Sequence, residues 1–182
     1  MSFTIMFMGT TFFILVTLVL FITAWRIGDW RNWRKYYSTL QYLLIVVFLV
    51  NILTHNHRLW FFHKTLIIPN HTLIDLAIAF TNLIPIALLY LSRYPDKASL
   101  IRRLAYITFW VVVCTLIETM FLFLKEITYH YGWNFGWSVV TWILIFIGLR
   151  LHYTKPLCAW MLLITSVIFL IVYFKIPITQ LQ

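Results

Sequence analysis

Six apolar runs, separated by short polar segments, dominate the pattern of the sequence. They cover residues 5–25, 38–54, 73–92, 104–124, 136–150 and 157–174. A helix that crosses the hydrocarbon core needs about 20 apolar residues, so each run is close to that length. The second, fifth and sixth runs are short, which favours upright helices, and the fifth also suits a buried or re-entrant segment. The pattern predicts an all-α polytopic membrane bundle of about six transmembrane helices, in a single domain over residues 1–182.

Composition agrees with this pattern and excludes a soluble domain. The chain is 63% hydrophobic and 10% charged, with a mean hydropathy of +0.90. Soluble domains carry about 25% charged residues, so a soluble fold of this length has too little polar surface to cover its apolar side chains. The net charge of +9 does not indicate a nucleic-acid partner, because the basic residues are scattered in short loops. Membrane lipids are the partners that this distribution predicts.

The basic loops also predict an orientation. Most of the 14 Lys and Arg residues lie in the loops after the first, third and fifth runs. The positive-inside rule places these loops in the cytoplasm and both termini outside. The first loop, RIGDWRNWRKYY, interleaves Arg with aromatic residues, which suits anionic lipid headgroups better than a docking partner. The expected headgroup contacts are Arg26, Arg31, Arg34, Lys35, Arg102 and Arg103.

The loops on the opposite side are rich in histidine and aromatic residues. THNHRLWFFHKTLIIPNHT and KEITYHYGWNFGW together hold all but one of the six histidines. The second of these loops, which contains Glu126, Tyr129, His130 and Trp133, is typical either of a binding loop for a small polar ligand or of an interfacial aromatic belt.

Polar residues inside the apolar runs indicate where a functional site lies. Glu118 is the clearest candidate, because a carboxyl group within a membrane helix must be protonated, paired or hydrated. Asn82 lies two helical turns after Asp75 and on the same face, which brings it to the depth of Glu118. Asn51 and Thr141 fall at a similar depth in two other runs. We therefore expect a polar pocket in the outer half of the bundle; the alternative is that Asn51, Asn82 and Thr141 only join neighbouring helices by hydrogen bonds.

The stretch IIPNHTLID, ahead of the third run, allows two readings. Thr72 and Asp75 fit a capping box, in which Thr72 begins the helix. If the helix begins at Asn70 instead, His71 and Asp75 lie one turn apart and suit a metal ion or a His–carboxylate pair. A metal site would need a third ligand, for which His55 is one candidate among the outer histidines and Glu118.

Four stretches carry a resemblance to a known family. They are DWRNWRKYYSTLQY, LIIPNHTLID, YHYGWNFGWS and LRLHYTKPLCAW. In combination they resemble a family of small, uncharacterised multi-pass membrane proteins found mainly in endospore-forming Bacillus- and Clostridium-like bacteria. The resemblance implies a location in the bacterial plasma membrane, and it transfers no activity, cofactor or catalytic residue. A link to the spore membrane would rest on taxonomic distribution alone.

Three functions are compatible with these observations. The first is binding or transport of a small polar ligand or cation in the outer pocket, proton-linked through Glu118. The second is a membrane-embedded metal-dependent enzyme, built on His71, Asp75 and a further histidine, that acts on lipid or lipid-linked substrates. The third is a non-catalytic assembly or sensor subunit that responds to protonation of the outer histidines. Six spans in 182 residues leave little room for a wide central pathway, which favours a homo-oligomer.

Overall fold

Each of the six apolar runs forms a helix in the computed structural model, which describes residues 3–177. The helices are α1 (Phe3–Ile27), α2 (Tyr37–Leu53), α3 (His71–Ser92), α4 (Leu100–Phe123), α5 (Phe135–Thr154) and α6 (Pro156–Tyr173), with a 3₁₀ turn at Trp30–Lys35. Five are long and apolar enough to cross a membrane, and α2 is shorter at 17 residues. The prediction of an all-α bundle is confirmed for these residues, and five of its helices are able to span a membrane by length and composition. The fifth run, read as short from the sequence, lies in a continuous helix of 20 residues.

Helix α3 forms the centre of the bundle. It contacts α1, α2 and α5, and every residue from Pro85 to Leu91 is buried. It consists of two α-helical stretches, His71–Ile78 and Ile84–Ser92, joined by a π-helical segment at Ala79–Leu83. Pro85 has no N–H to donate, which accounts for the change in hydrogen-bond pattern in the turn before it.

The other helices surround α3 and expose apolar side chains on their outer faces. Helix α4 packs on α5, and α5 packs on α6. Exposed apolar residues include Phe7, Leu15 and Val19 on α1 and Met161 and Ile164 on α6. An apolar outer surface of this kind suits contact with lipid chains, because every backbone polar group of a helix is already bonded within it.

A small antiparallel sheet joins two loops at one end of the bundle. Strand β1 (Trp60–Phe62) lies between α2 and α3, and strand β2 (Ile127–Tyr129) lies between α4 and α5. Trp60 pairs with Tyr129 and Phe62 with Ile127, so these four side chains share one face of the sheet. Both segments resemble loops in the sequence, because three residues are too few for a recognisable alternating pattern.

The start of α3 decides between the two readings of IIPNHTLID. The side chain of Asn70 accepts a hydrogen bond from the backbone N–H of Thr72 at 2.8 Å, so Asn70 is the N-cap. The capping box that begins at Thr72 is therefore wrong, and the reading that starts the helix at Asn70 is confirmed. Asp75 is consequently free of a capping role and its carboxylate is available for another partner.

Helix α5 begins with a similar cap, which leads to a first prediction. The side chain of Asn134 accepts hydrogen bonds from the N–H groups of Gly136 and Trp137, at 2.9 and 3.3 Å. Replacing Asn134 by Ala leaves these donors without that acceptor, and we expect a loss of about 1 kcal/mol in the free energy of unfolding. Thermal unfolding in detergent measures the effect. Asn134→Asp retains an acceptor oxygen and should remain near wild type; an equal loss in both variants would contradict the assignment.

The basic residues expected to contact headgroups lie at the end of the bundle opposite the sheet. Five of these side chains are exposed: Arg26, Arg31, Arg34, Lys35 and Arg102. Arg103 differs, because it is half-buried and its Nε donates a hydrogen bond to the carbonyl of Ala98 at 2.9 Å. Arg103 therefore stabilises the turn before α4 and is a weaker candidate for lipid contact than the other five.

Candidate functional site

A cavity of about 210 Å³ lies between the helices at the end of the bundle that carries the sheet. Its lining includes every polar residue that the sequence analysis assigned to the expected pocket within the apolar runs. These are Asn51 on α2, Asp75 and Asn82 on α3, Glu118 on α4 and Thr141 on α5. The structure thus brings together side chains from four helices that the sequence placed at one depth.

Most of the cavity wall is apolar. Helices α2 to α5 each contribute one or two polar side chains, whereas α1 contributes only Val16 and Leu20. The sheet adds Trp60, Phe62 and Ile127. Further aromatic lining comes from Phe121, Trp133 and Trp142. The expected polar pocket is therefore an apolar and aromatic cavity with a few polar groups, which is the usual composition of a small-molecule site.

Glu118 holds a defined position in this cavity through two hydrogen bonds. The hydroxyl of Tyr129 donates to Oε1 at 2.6 Å, and the indole Nε1–H of Trp142 donates to Oε2 at 2.7 Å. A carboxylate offers about four acceptor positions, so two donors do not saturate it. Glu118 is thus oriented by the protein and retains capacity for a further donor.

The hydrogen bonds continue beyond Glu118 into the sheet and α5. The indole N–H of Trp133 donates to Oγ of Ser138 at 3.0 Å, and the Ser138 hydroxyl donates to the Tyr129 oxygen at 3.0 Å. Burial and the bond to Glu118 raise the pKa of Tyr129 well above its usual value. Tyr129 therefore keeps its proton and acts as a donor to Glu118 throughout the physiological pH range.

Asn82 combines a lining position with a structural role. Its Oδ1 accepts hydrogen bonds from the hydroxyls of Thr17 on α1, at 2.8 Å, and of Thr81, at 3.2 Å. Asn82 is only 5% exposed. Asn82 therefore joins α3 to α1 by a hydrogen bond, as the alternative interpretation expected, and it also lines the cavity.

Asp75 is paired with a residue that the sequence analysis did not consider. Its Oδ2 lies 3.1 Å from Nη1 of Arg58, and the two side chains are 10% and 17% exposed. The Arg58 guanidinium also lies 5.6 Å from the ring centre of Phe61. The charge of Asp75 is therefore compensated by a loop cation at the edge of the cavity.

The predicted metal ligands do not come together. His71 is half-buried and packs its ring on Phe61 at 5.2 Å, while His55 is exposed and bonds Asn56. Asp75 is held by Arg58. Within residues 3–177, no group of three His, Cys, Asp or Glu side chains is placed to hold a metal ion. The metal set of His71, Asp75 and His55 is thus a reading that this geometry does not support.

Two histidines meet on the face of the sheet that points away from the cavity. Nε2 of His63 and Nε2 of His130 lie 3.3 and 3.0 Å from Oγ1 of Thr128. Burial and the neighbouring charge of His130 lower the pKa of His63. His130 also lines a shallow outer pocket with His55 and Arg58, so it belongs to the surface and not to the wall of the main cavity.

Glu126 is the functional candidate whose environment the sequence least suggested. It directly precedes β2, is 3% exposed, and its Oε1 has no hydrogen-bond partner. The carboxyl group packs against Gly9 of α1, where the absence of a side chain leaves room for it. Burial raises the pKa of Glu126 to about 7.

Several contributors to the site carried no usable signal in the sequence. Thr17 and Arg58 lie 65 and 17 residues along the chain from Asn82 and Asp75, the residues they bond, and no spacing rule links such positions. Ser138 is nearer to Tyr129 along the chain, but the turn between them hides the contact. Comparison of the chain with protein-family models, curated proteins and solved structures finds no match. The cavity is therefore the main indication of function in this chain.

Proposed function

We propose that this protein is a multi-pass integral membrane protein that binds a small polar ligand or a cation in the cavity and carries it across the membrane. Glu118 is the group on which binding and proton coupling depend. The convergence of polar side chains from four otherwise apolar helices on one cavity supports the proposal. Ionisable groups inside membrane helices are costly, and they mark ligand and ion pathways.

The proposed topology has six spans, with both termini outside. Helix α2 is the sixth span, and its 17 residues suit an upright helix or a locally thinned bilayer. The basic loops then face the cytoplasm, and the sheet and the cavity lie in the outer half. The resemblance described above supports the bacterial plasma membrane as the location, and the small size of the bundle supports a homo-oligomer.

Competition at Glu118 provides the proton linkage. Tyr129 and Trp142 donate hydrogen bonds to the carboxyl group of Glu118 and bring no positive charge to it. Either a proton or a bound cation supplies the missing positive charge, and one carboxylate in an apolar cavity favours one of them at a time. A site that exchanges a cation for a proton has the property that proton-linked transport requires.

Liposomes that contain the purified protein and an internal pH-sensitive dye test this function. Gradients of Na⁺, K⁺, methylammonium or glycine are imposed, and the rate of proton movement is recorded. We expect at least one gradient to drive proton movement in wild type, and Glu118→Gln to reduce the rate to that of protein-free liposomes. Thr119→Val is the matched control, because Thr119 is adjacent but bonds the carbonyl of Thr115 in its own helix. Equal rates in wild type and Glu118→Gln would overturn the proposal.

The outer histidines favour a second candidate, a sensor or assembly subunit. His63 and His130 share Thr128, so protonation of either ring changes a contact on the outer face of the sheet. Co-purification of a partner protein at pH 8 and its loss at pH 6 would favour this candidate. The metal-dependent enzyme is not supported, because His71, Asp75 and His55 are not placed around one point.

A further inference from the structure

The charges around the cavity are unbalanced. The charged residues in its lining are Asp75 and Glu118, and no Lys, Arg or His side chain is among the described residues that form the wall. Arg58 neutralises Asp75 from the edge of the cavity. Glu118 has only the neutral donors Tyr129 and Trp142. The cavity therefore complements a ligand with one positive charge, and an anionic ligand would meet a like charge.

The remaining wall favours an organic cation over a metal ion. An alkali cation that sheds its water needs several oxygen ligands. Asp75, Asn82 and Ser138 in the wall already bond Arg58, Thr17 and Trp133. The other polar side chains of the wall are Glu118, Asn51 and Thr141. The aromatic residues in the wall, Trp60, Trp133 and Trp142 among them, attract organic cations and apolar groups alike. A ligand with an apolar body and a single ammonium group satisfies both parts of the wall.

The size of the cavity limits the apolar body. An apolar protein cavity of about 150 Å³ accommodates benzene. The cavity here is about 210 Å³, which leaves room for one ring or a short alkyl chain together with an amino group. Drug-sized ligands require larger pockets, of roughly 300–1,000 Å³.

We propose that the cavity is a binding site for small apolar primary amines, whose ammonium group donates hydrogen bonds to Glu118 while the ring or alkyl chain lies among the aromatic residues. The two acceptor positions of Glu118 that Tyr129 and Trp142 leave open are those that the ammonium group occupies. This inference rests on the proposed function, since it names the ligand class of the same cavity.

Binding of benzylamine, benzyl alcohol and benzoate to the protein in nanodiscs tests the ligand class. The three probes share one ring and differ in charge, and tryptophan fluorescence or calorimetry reports their affinity. We expect benzylamine to bind about tenfold or more tighter than benzyl alcohol, because both probes donate a hydrogen bond to the Glu118 carboxylate but only the ammonium group adds attraction between opposite charges. Benzoate should not bind. Equal affinity for benzylamine and benzyl alcohol would overturn the inference, and this comparison needs no variant.

Two variants locate the site. Glu118→Gln should remove the preference for benzylamine over benzyl alcohol, whereas Glu126→Gln should retain it, because Glu126 is a buried carboxyl group outside the cavity wall. Retention of the preference in Glu118→Gln would place the binding elsewhere and overturn the inference.

The outcome separates this inference from the function on which it rests. Glu118-dependent proton movement with Na⁺, K⁺ or glycine, together with no preference for benzylamine, would overturn the ligand class alone. Absence of both Glu118-dependent proton movement and benzylamine binding would overturn both. Benzylamine binding without proton movement would support the ligand class and contradict transport.

Discussion

Replacing Arg58 by Met is expected to lower the free energy of unfolding by about 3–5 kcal/mol, because it leaves the Asp75 carboxylate buried without its partner. The guanidinium lies 3.1 Å from that carboxylate, and both side chains are largely buried. Asp75 also lines an apolar cavity, so solvent does not compensate for the loss of the Arg58 guanidinium charge. Thermal or denaturant unfolding in detergent, with Arg58→Met compared with wild type, measures the loss.

A double replacement separates pairing from packing. Arg58→Met combined with Asp75→Leu removes both charges, and a buried ion pair replaced by apolar residues often costs little. We therefore expect the double variant to be more stable than Arg58→Met alone. Lys64→Met is the matched control, since Lys64 is an exposed cation in the same loop. If Arg58→Met were no more harmful than Lys64→Met, the ion pair would not contribute to stability.

The second large effect is a fall in stability with rising pH that depends on Glu126. Burial raises the pKa of this carboxyl from 4.5 to about 7, so the folded protein holds the proton more tightly than the unfolded chain. The stabilisation is complete below pH 4.5 and is lost as the pH rises towards 7. A shift of this size corresponds to roughly 3 kcal/mol between the two limits. Unfolding measured from pH 4.5 to 8 reports the slope.

Two variants isolate the contribution of Glu126. Glu126→Gln keeps the shape of the side chain and should remove this part of the pH dependence. Gly9→Ala should reduce it as well, because the added methyl group occupies the place of the carboxyl and forces it out. The lowered pKa of His63 has the opposite effect on the pH dependence. Its contribution to the stability of the protein is lost as the pH falls. A pH profile of Glu126→Gln that matches wild type would show that the buried carboxyl does not titrate in this range.

The helices and the depth of the cavity could be predicted from the sequence, because both depend on properties of single helices. Apolar length identified the runs, and the interval of two turns between Asp75 and Asn82 placed both on one face of α3. Pro85 lacks a backbone donor, and the π-helical segment lies in the turn before it. Asn51, Thr141 and Glu118 lie close to the ends of their helices. Side-by-side packing of the helices is then enough to bring the three side chains to one cavity.

The features that the sequence did not predict depend on contacts between distant segments. Arg58 meets Asp75, and Trp142 meets Glu118, across loops whose path no local pattern determines. Thr72 matched a capping box, but Asn70, two residues earlier, offers the side-chain oxygen that caps the helix. The prediction of a metal site at His71 and Asp75 depended only on their spacing of one helical turn. The Asp75 carboxylate instead forms an ion pair with Arg58.

The sheet bears on the duration of ligand binding more than on its strength. Strands β1 and β2 pair through three residues each, and they hold together the α2–α3 and α4–α5 connections. Trp60, Phe62 and Ile127 form part of the cavity wall, and Tyr129 reaches Glu118 from the same strand pair. Because the paired strands form part of the wall, we expect their opening to affect how long a ligand stays in the cavity. Substitutions that weaken the pairing should therefore raise association and dissociation rates together and leave the equilibrium constant almost unchanged.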